Sequence, residues 1–366
     1  MSPFIRRAVE GVAAYTPGKP IEEVERELGI PRAIKLASNE NALGPSPKAL
    51  EAMKNALTNL HRYPDSHATL LVRALSRRWQ VSPEQILVGN GSDELITLAA
   101  RAFLDPGDEV VIATPTFLIY RIASQIAGAA IRAVPSKDFR YDLSGMRRAI
   151  TPKTKIVFIA NPDNPTGTYV TKAEVESFLK DLPAGVILFF DEAYAELVDA
   201  PDYPETREYL DRHPVLITRS FSKAYGLAGI RVGYGVGPRE IVQPMHRVRE
   251  PFNVNSLAQA AACAALEDTE HLEKTRKLFR EERPLLMQAL KSLGLTPVPS
   301  VTNFILFQAG PQAPDVARRL LKRGIIVRDM LAWDLSEYLR VTIGLRQENA
   351  AFLEALKETL KEERNS

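Results

Sequence analysis

Hydrophobic runs alternate with mixed polar and apolar segments along most of the chain, starting at about residue 46. Runs rich in Val, Ile and Phe are typical of strands buried on both faces, and the segments between them have helical patterns. The predicted strands are QILVGN, DEVVIATP, AIRAVPS, TKIVFIANP, GVILFFDEAY, VLITRS and RVGYGVG. This alternation predicts an α/β fold whose large domain has a mostly parallel seven-stranded sheet flanked by helices.

The helical segments between these runs have recognisable beginnings and ends. They are SPKALEAMKNAL, DELITLAARAFL, YRIASQIAGA, DLSGMRRAI and TKAEVESFLKDL. In the first of them, Ser46 is predicted to cap the helix and Pro47 to stand in its first turn. Nearer the N-terminus, the turn YTPGKP precedes IEEVERELG, which predicts a short amphipathic helix that ends at Gly29.

The C-terminal part of the chain has a pattern of its own. The stretch HRVREPFNVNSLAQAAACAALED predicts the start of a long helical region. From about residue 285, a smaller α/β layer with its own core is predicted from RPLLMQALKSLG, NFILFQA, PDVARRLLKRG, IIVRD and YLRVTIG. We therefore expect an N-terminal arm, or part of the small domain, over residues 1–40, a large domain over 41–250 and a small C-terminal domain over 251–366.

Composition narrows the classes of protein to which the chain can belong. Of its 366 residues, 45% are hydrophobic and 25% charged, and the formal net charge is +2. This profile is typical of a soluble globular protein and favours neither nucleic acid nor an acidic membrane surface as a partner. The one cysteine, Cys263, excludes an internal disulfide and fits a reducing compartment. Because we also see no metal-ligand spacing of histidines, no signal peptide and no long apolar segment, we expect a cytoplasmic protein without a metal site.

Chemically distinctive residues follow several of the predicted strands. Ligands of such sheets bind outside the carboxyl ends of the strands, so these residues are expected to lie at one edge. GNGSDEL places Gly91, Ser92 and Asp93 at the start of a helix, where backbone N–H groups can bind a phosphate, although an ordinary turn has the same pattern. After the next strand, Phe117 either packs in the core or stacks on a flat ligand.

The following strand ends carry an amide, an acid and a lysine. The turn NPDNPTG holds Asn164 towards the cleft, and the apolar run GVILFF ends at Asp191, a carboxylate that requires a partner if it is buried. Lys223, in the segment SFSKAYGLAGIRVGYG, is either a surface charge or a nucleophile. Taken together, these groups match the needs of pyridoxal phosphate: an amine, a carboxylate at the ring nitrogen, donors to the ring oxygen, phosphate ligands and a stacked ring. The predicted set is Lys223, Asp191, Asn164, Tyr194, Ser220, Ser222, Arg231, the Gly91–Ser92–Asp93 turn and Phe117.

Three motifs carry a family resemblance. NPDNPTG, DEAY and SFSKAYGLAGIRVGY, in this order and at these spacings, resemble the signature of the class I and II pyridoxal-phosphate aminotransferases of fold type I. A further set of segments resembles one family of these enzymes more narrowly, the histidinol-phosphate aminotransferases. These segments are YTPGKPIEEVERELG, KLASNENALGPSPKAL, RYPD, GNGSDELI, PTF, IIVRD and LRVTIGLRQEN. The resemblance covers nearly the whole chain. It departs at Ala42, where that family more often has Pro, and at Phe117, where it often has Tyr.

The resemblance implies roles for individual residues around the cofactor. Lys223 would form the Schiff base and later move the proton at the substrate's α-carbon, and Asp191 would pair with the pyridine nitrogen. Asn164 and Tyr194 would donate to the ring oxygen, and the catalytic set would be Lys223, Asp191 and Tyr194. The phosphate ligands would be Ser92, Asp93, Ser220, Ser222 and Arg231.

The resemblance also implies substrate ligands and a second subunit. Tyr15, Arg328 and Arg340 would bind the substrate's phosphate and carboxylate, and Asn39 would line the substrate side. Tyr63, in RYPD, would come from the partner subunit and touch the cofactor phosphate, which implies a homodimer. Arg346 is left open between a functional role and a solvated or structural ion pair.

Arg328 and Arg340 are candidate anion ligands even without the resemblance. Each lies at the edge of a predicted strand of the small domain, in IIVRD and YLRVTIG. One guanidinium binds a carboxylate bidentately, and a second favours a dianionic phosphate. The alternative is that both are structural arginines at the surface of the protein.

The implied reaction transfers the amino group of L-histidinol phosphate to 2-oxoglutarate. The products are imidazole-acetol phosphate, which is 3-(imidazol-4-yl)-2-oxopropyl phosphate, and L-glutamate, and the step belongs to histidine biosynthesis. An aromatic or phenylalanine aminotransferase and a threonine-phosphate decarboxylase of the same fold remain alternatives because they share the cofactor residues. A nucleotide-binding oxidoreductase fits less well, since Glu94 stands where the dinucleotide fingerprint has its third glycine. A non-catalytic binding protein of this fold would have no use for Lys223.

Overall fold

The computed structural model describes residues 4–14, 16, 18–30 and 32–364. The helices are α1 Arg7–Glu10, α2 Ile21–Leu28, α3 Pro47–Ala56, α4 Thr69–Trp79, α5 Ser92–Phe103, α6 Leu118–Ala127, α7 Leu143–Ala149, α8 Lys172–Lys180, α9 Arg239–Arg247, α10 Ser256–Leu266, α11 Thr269–Ser292, α12 Ala313–Lys322 and α13 Arg346–Arg364. The strands are β1 Ile34–Lys35, β2 Ile86–Gly89, β3 Glu109–Thr114, β4 Ala130–Pro135, β5 Thr154–Ala160, β6 Ile187–Asp191, β7 Val215–Ser220, β8 Gly233–Val236, β9 Thr296–Pro297, β10 Phe304–Gln308, β11 Ile325–Ile326, β12 Arg328–Asp329 and β13 Tyr338–Thr342.

A seven-stranded sheet forms the centre of the molecule, in the order β2-β8-β7-β6-β5-β3-β4. Its pairings are parallel except those of β8, which runs antiparallel to both β2 and β7. All seven strands lie within the hydrophobic runs that predicted them, and the predicted fold class is confirmed. The side chains of β6, such as Leu188, Phe189 and Phe190, are fully buried because helices cover both faces of the sheet.

Polar side chains fix the ends of several helices. Ser46 accepts a hydrogen bond of 3.2 Å from the backbone N–H of Ala49, as predicted for the cap of α3. At the start of α8, Thr171 and Glu174 form a reciprocal capping box. Gly29 ends α2 in the left-handed conformation that glycine adopts without strain.

The region 246–294 differs from the prediction. Instead of one helical region followed by a new unit at about 285, α9 ends at Arg247, α10 begins after the cap Asn255, and α11 runs unbroken from Thr269 to Ser292. Asp268 caps α11 through the backbone N–H of His271, which explains the break between α10 and α11. Pro284 lies inside α11, so the segment beginning at 283 continues a helix rather than starting one.

The C-terminal region forms a second sheet in the order β12-β13-β10-β9, and β1 pairs with β11 beside it. IIVRD is split between β11 and β12 because its first residues pair with the N-terminal segment and its last with β13. The division into an arm, a large and a small domain stays a prediction; α10, assigned to the small domain, packs against α3 and α4. Over the residues described, no helix combines the length and the apolar character that crossing a membrane requires.

Candidate active site

A cavity of about 310 Å³ lies where β5, β6 and β7 end at the carboxyl edge of the large sheet. It draws on both sheets, because Arg328 and Arg340 of the second sheet face residues of the first. The predicted site residues that line it are Asn39, Ser92, Asp93, Phe117, Asn164, Asp191, Tyr194, Ser220, Ser222, Lys223, Arg231, Arg328 and Arg340. The fold therefore brings together side chains that are separated by up to 301 positions in the sequence.

Lys223 lies in the turn that follows β7, with its amine in the cavity. Its Nζ donates a hydrogen bond of 3.3 Å to the backbone oxygen of Ser38 and lies 5.6 Å from the centre of the Tyr194 ring. Burial, followed by the nearby charge of Arg340, lowers the pKa of Lys223 to about 8. An amine with this pKa is partly neutral near pH 7, so it can act as a nucleophile or a base.

Asp191 ends β6 and is 5% exposed. Burial raises the pKa of its carboxyl group to about 6, against the opposing effect of a hydrogen bond of 2.7 Å from the Tyr120 hydroxyl. The backbone N–H of Ala193 donates a second bond of 3.1 Å. Both donors are neutral, so a protonated ring nitrogen in the cavity would give this buried carboxylate the cationic partner that its ionised form favours.

One end of the cavity is lined by hydroxyls, a helix N-terminus and Arg231. Arg231 donates to Ser222 Oγ at 3.4 Å and lies 3.7 Å from Asp93 Oδ2, and Ser220 Oγ accepts from the backbone N–H of Ser222 at 3.1 Å. At Gly91 the backbone has φ of +81°, and a Cβ there would lie 2.4 Å from Arg231 Nη2. Only glycine allows this approach, and the resulting concave set of donors suits a phosphate dianion.

The second sheet contributes Arg328 and Arg340 to the lining of the cavity, and their Cα atoms pair across β12 and β13. Arg328 donates to the backbone oxygen of Thr16 at 2.6 Å. Arg340 donates to the backbone oxygen of Ala37 at 3.1 Å and to the side-chain oxygen of Asn164. Two neighbouring guanidiniums in a cleft form a site for a dianion or a carboxylate.

Comparison with known proteins identifies the fold's family. Residues 31–356 match the family model described as aminotransferase class I and II. The chain belongs to the class I and II aminotransferase family. A curated histidinol-phosphate aminotransferase from Moorella thermoacetica is 47% identical over 360 residues, which cover 98% of this chain and 93% of that protein. Another, from Methylobacillus flagellatus, is 48% identical over 361 residues, 98% of each chain.

Solved structures agree with these relatives. The structure of histidinol-phosphate aminotransferase from Sinorhizobium meliloti in complex with pyridoxal-5'-phosphate superimposes with a TM-score of 0.90 at 29% identity and covers 99% of both chains. Aspartate aminotransferase from Thermus thermophilus with maleate gives 0.83 at 25% identity, over 97% of this chain and 99% of that one. The resemblance predicted from the sequence motifs is therefore confirmed.

Around the cavity of this aminotransferase, Asn39 and Phe117 connect separate segments. Asn39 donates from Nδ2 to the Tyr194 hydroxyl at 3.0 Å, and its backbone N–H donates to Thr342 Oγ1 at 2.9 Å. Phe117 stands at the start of α6 with its ring edge-on to Tyr120, at a centroid distance of 5.6 Å. Phe117 is therefore partly a core residue and partly a wall of the cavity.

Tyr63 and Arg346 lie apart from this group. Tyr63 is 82% exposed and stacks on Phe252 rather than on the cavity. Arg346 forms an ion pair with Glu282 at 2.9 Å at the start of α13, which favours the structural alternative for that arginine. Tyr15 lies outside the described residues.

Sequence reasoning missed Tyr120 and Trp333. Tyr120 holds the carboxylate of Asp191, and its position three residues after Phe117 in the first turn of α6 was an available signal. Trp333 lies against both Arg328 and Arg340, with its ring centre 5.3 Å from Arg328 Cζ and 5.8 Å from Arg340 Cζ. Nothing in the local pattern LAWDL indicates these contacts, because they depend on how a short 3₁₀ turn returns to β13.

Proposed function

We propose that this chain is a pyridoxal-phosphate-dependent aminotransferase that acts on L-histidinol phosphate. It transfers the amino group to 2-oxoglutarate and produces imidazole-acetol phosphate and L-glutamate, a step of histidine biosynthesis. The observation that carries the proposal is the cavity that joins Lys223 and Asp191 to the arginine pair Arg328 and Arg340. The names of the relatives, at nearly half identity over almost the full chain, support the same substrate.

The residues present fit pyridoxal phosphate. The Gly91 turn, Ser220, Ser222 and Arg231 would hold its phosphate, and Asp191 its ring nitrogen. When bound, the cofactor supplies an aldehyde and an electron-accepting ring.

Each nearby side chain has a chemical task that follows from its environment. Lys223, with its lowered pKa, is the amine that would bond to the aldehyde and the base that moves the proton at the substrate's α-carbon. Tyr194, held by Asn39, and Asn164, held by Arg340, would orient the ring oxygen. Asp191 is buried, which strengthens the charge interactions that its carboxylate makes inside the cavity.

Two arginines suit the two anionic groups that the reaction must alternate between. A phosphate monoester and the second carboxylate of glutamate both bind guanidiniums through paired N–H donors. Arg328 and Arg340 come from the second sheet, whereas Arg231 comes from the turn before β8 of the first, so one anion site would serve the cofactor and the other the substrate.

The experiment that tests the substrate compares three amino donors with the cofactor-loaded protein. Histidinol phosphate, phenylalanine and threonine phosphate are each supplied with 2-oxoglutarate, and glutamate, ketone and carbon dioxide are measured. We expect the highest kcat/KM for histidinol phosphate. Faster turnover of phenylalanine would favour an aromatic aminotransferase, and release of carbon dioxide from threonine phosphate would favour the decarboxylase.

We propose further that the active enzyme is a homodimer in which Tyr63 completes the partner's phosphate site. In support, Tyr63 is exposed and stacks on the exposed Phe252, with ring centres 4.7 Å apart, and Leu57, Leu60 and Leu70 are also exposed. Adjacent exposed aromatic side chains, such as this stacked pair, are typical of an interaction site.

Subunit mixing tests the shared site. A Lys223→Ala chain and a Tyr63→Ala chain are refolded together, because a mixed dimer would contain one site with both an intact Lys223 and a partner's Tyr63. We expect activity above that of either variant alone. Activity no higher than that of Tyr63→Ala alone would contradict the exchange of Tyr63 between subunits.

A cytoplasmic location remains part of the proposal and rests on the single cysteine.

A further inference from the structure

Trp333 forms an aromatic platform beneath the two substrate-side arginines. Its ring centre lies 5.3 Å from Arg328 Cζ and 5.8 Å from Arg340 Cζ, and the residue is 5% exposed. Contact distances of this size place both guanidiniums within range of a cation–π interaction with one ring. The indole is therefore shared by two cations that come from adjacent strands, β12 and β13.

The platform is fixed to the other side of the cavity. The indole Nε1 donates a hydrogen bond of 2.9 Å to the backbone oxygen of Thr116, one residue before Phe117. The Thr116 hydroxyl in turn donates to the buried carboxylate of Asp163 at 2.9 Å. Trp333, in the turn between β12 and β13, thus connects the strands that carry the arginines to the loop that carries the proposed stacking ring.

A separate small core holds the ring in place from below. Val298, Leu306, Met330 and Trp333 form a buried cluster apart from the main core. Because this cluster packs around the indole, the ring has little freedom to turn away from the guanidiniums.

The two arginines need such a platform because they carry like charges at paired positions. Their Cα atoms are direct partners in the β12–β13 register, so the guanidiniums repel each other until an anion binds between them. Their protein partners include carbonyl and amide oxygens and the ring of Phe304, whose centre lies 5.2 Å from Arg340 Cζ. An aromatic face attracts both cations without introducing a carboxylate that would compete with the substrate.

We propose that Trp333 is a positioning residue for anion recognition, which holds the guanidiniums of Arg328 and Arg340 side by side and facing the cavity. The inference rests on the proposed function in one respect, the assignment of this arginine pair to the substrate's anionic group. Trp333 acts through the arginines and makes no contact with the reacting atoms.

The test measures anion binding by the cofactor-loaded protein with isothermal titration calorimetry. The probes are succinate and inorganic phosphate, and the variants are Trp333→Leu, Trp333→Phe and the control Val298→Ala, which loosens the same cluster without touching either arginine. For Trp333→Leu we expect about tenfold weaker binding of both anions, since one ring contacts both cations. Trp333→Phe, with a weaker aromatic face and no N–H, is expected to lose about threefold, and Val298→Ala less than about twofold.

Steady-state kinetics separate positioning from a general loss of structure. A positioning role raises KM for the amino donor and for 2-oxoglutarate and leaves kcat nearly unchanged, whereas general disruption lowers kcat and the melting temperature together. The inference is overturned if wild type fails to bind either anion, if Trp333→Phe binds both as tightly as wild type, or if Val298→Ala weakens binding as much as the tryptophan variants. Should Trp333→Leu fail to fold, the Trp333→Phe comparison decides. Absent turnover of histidinol phosphate by wild type contradicts the proposed function alone, because the binding comparison does not depend on that substrate.

Discussion

The burial of Asp191 lowers the free energy of unfolding of the cofactor-free protein at neutral pH, and this loss can be measured. Its pKa is raised from the ordinary 3.8 to about 6 by burial. Because the folded pKa lies above the unfolded one, the carboxyl group favours folding below pH 4, and this contribution is lost as pH rises towards and through 6. Replacing Asp191 by Asn keeps the size of the side chain but removes the ionisation.

The magnitude follows from the shift. At 1.36 kcal/mol per pKa unit, the loss in wild type is about 3 kcal/mol at pH 7.5 and about half of that at pH 5. Asparagine accepts the bonds from Tyr120 and Ala193 less well, which costs about 1 kcal/mol. We therefore expect Asp191→Asn to be more stable than wild type by about 2 kcal/mol at pH 7.5 and by well under 1 kcal/mol at pH 5.

Urea denaturation of the cofactor-free proteins at the two pH values measures this difference. Groups that do not interact with residue 191 titrate equally in both proteins and cancel in the comparison. Asp163→Asn is a matched control: its pKa is also raised to about 6, but Tyr141, Thr116 and Thr166 all donate to it, so its replacement should bring no gain. The reasoning fails if Asp191→Asn is less stable than wild type at pH 7.5, or if the difference between them does not change with pH.

Two further predictions concern the supports of the site. Arg219→Met leaves the buried Glu192 without the partner that lies 2.8 Å away, and we expect a loss of about 3 kcal/mol in the free energy of unfolding; a loss under about 1 kcal/mol, as for a surface pair, would show that the ion pair is not structural. Gly91→Ala forces Arg231 Nη2 away from a Cβ only 2.4 Å distant, so about tenfold weaker uptake of pyridoxal phosphate is expected in a spectroscopic titration. Gly107→Ala, which also has a positive φ but open space around it, should leave cofactor uptake unchanged, and equal effects of the two variants would refute the steric argument.

The sequence was sufficient for the large sheet and for the residues at its carboxyl edge. Asp191 and Lys223 follow fully apolar runs, and the ends of parallel strands must meet at one edge, so their convergence could be predicted from hydrophobic pattern alone. The helix caps could also be predicted, because Ser46 accepts its hydrogen bond from a residue only three positions along the chain.

Contacts between distant segments were harder to predict from the sequence. Tyr120 and Trp333 reach the site through packing that no local pattern encodes. A proline disfavours the interior of a helix, yet α11 continues through Pro284 because buried residues on both sides, such as Phe279 and Leu286, hold the helix against the core. The role of Tyr63 cannot be tested in the structure of a single chain, because the proposed contact is with the phosphate site of a second subunit.

The visible absorption of the protein with pyridoxal phosphate tests the central claim most directly. Wild type should take up the cofactor with a visible band that histidinol phosphate abolishes and 2-oxoglutarate restores, because the amino group passes through the cofactor held at Lys223. Lys223→Ala should bind the phosphate end yet show neither this band nor its cycle. A wild-type protein that stays colourless, or a Lys223→Ala variant with the same band and cycle, would contradict the account.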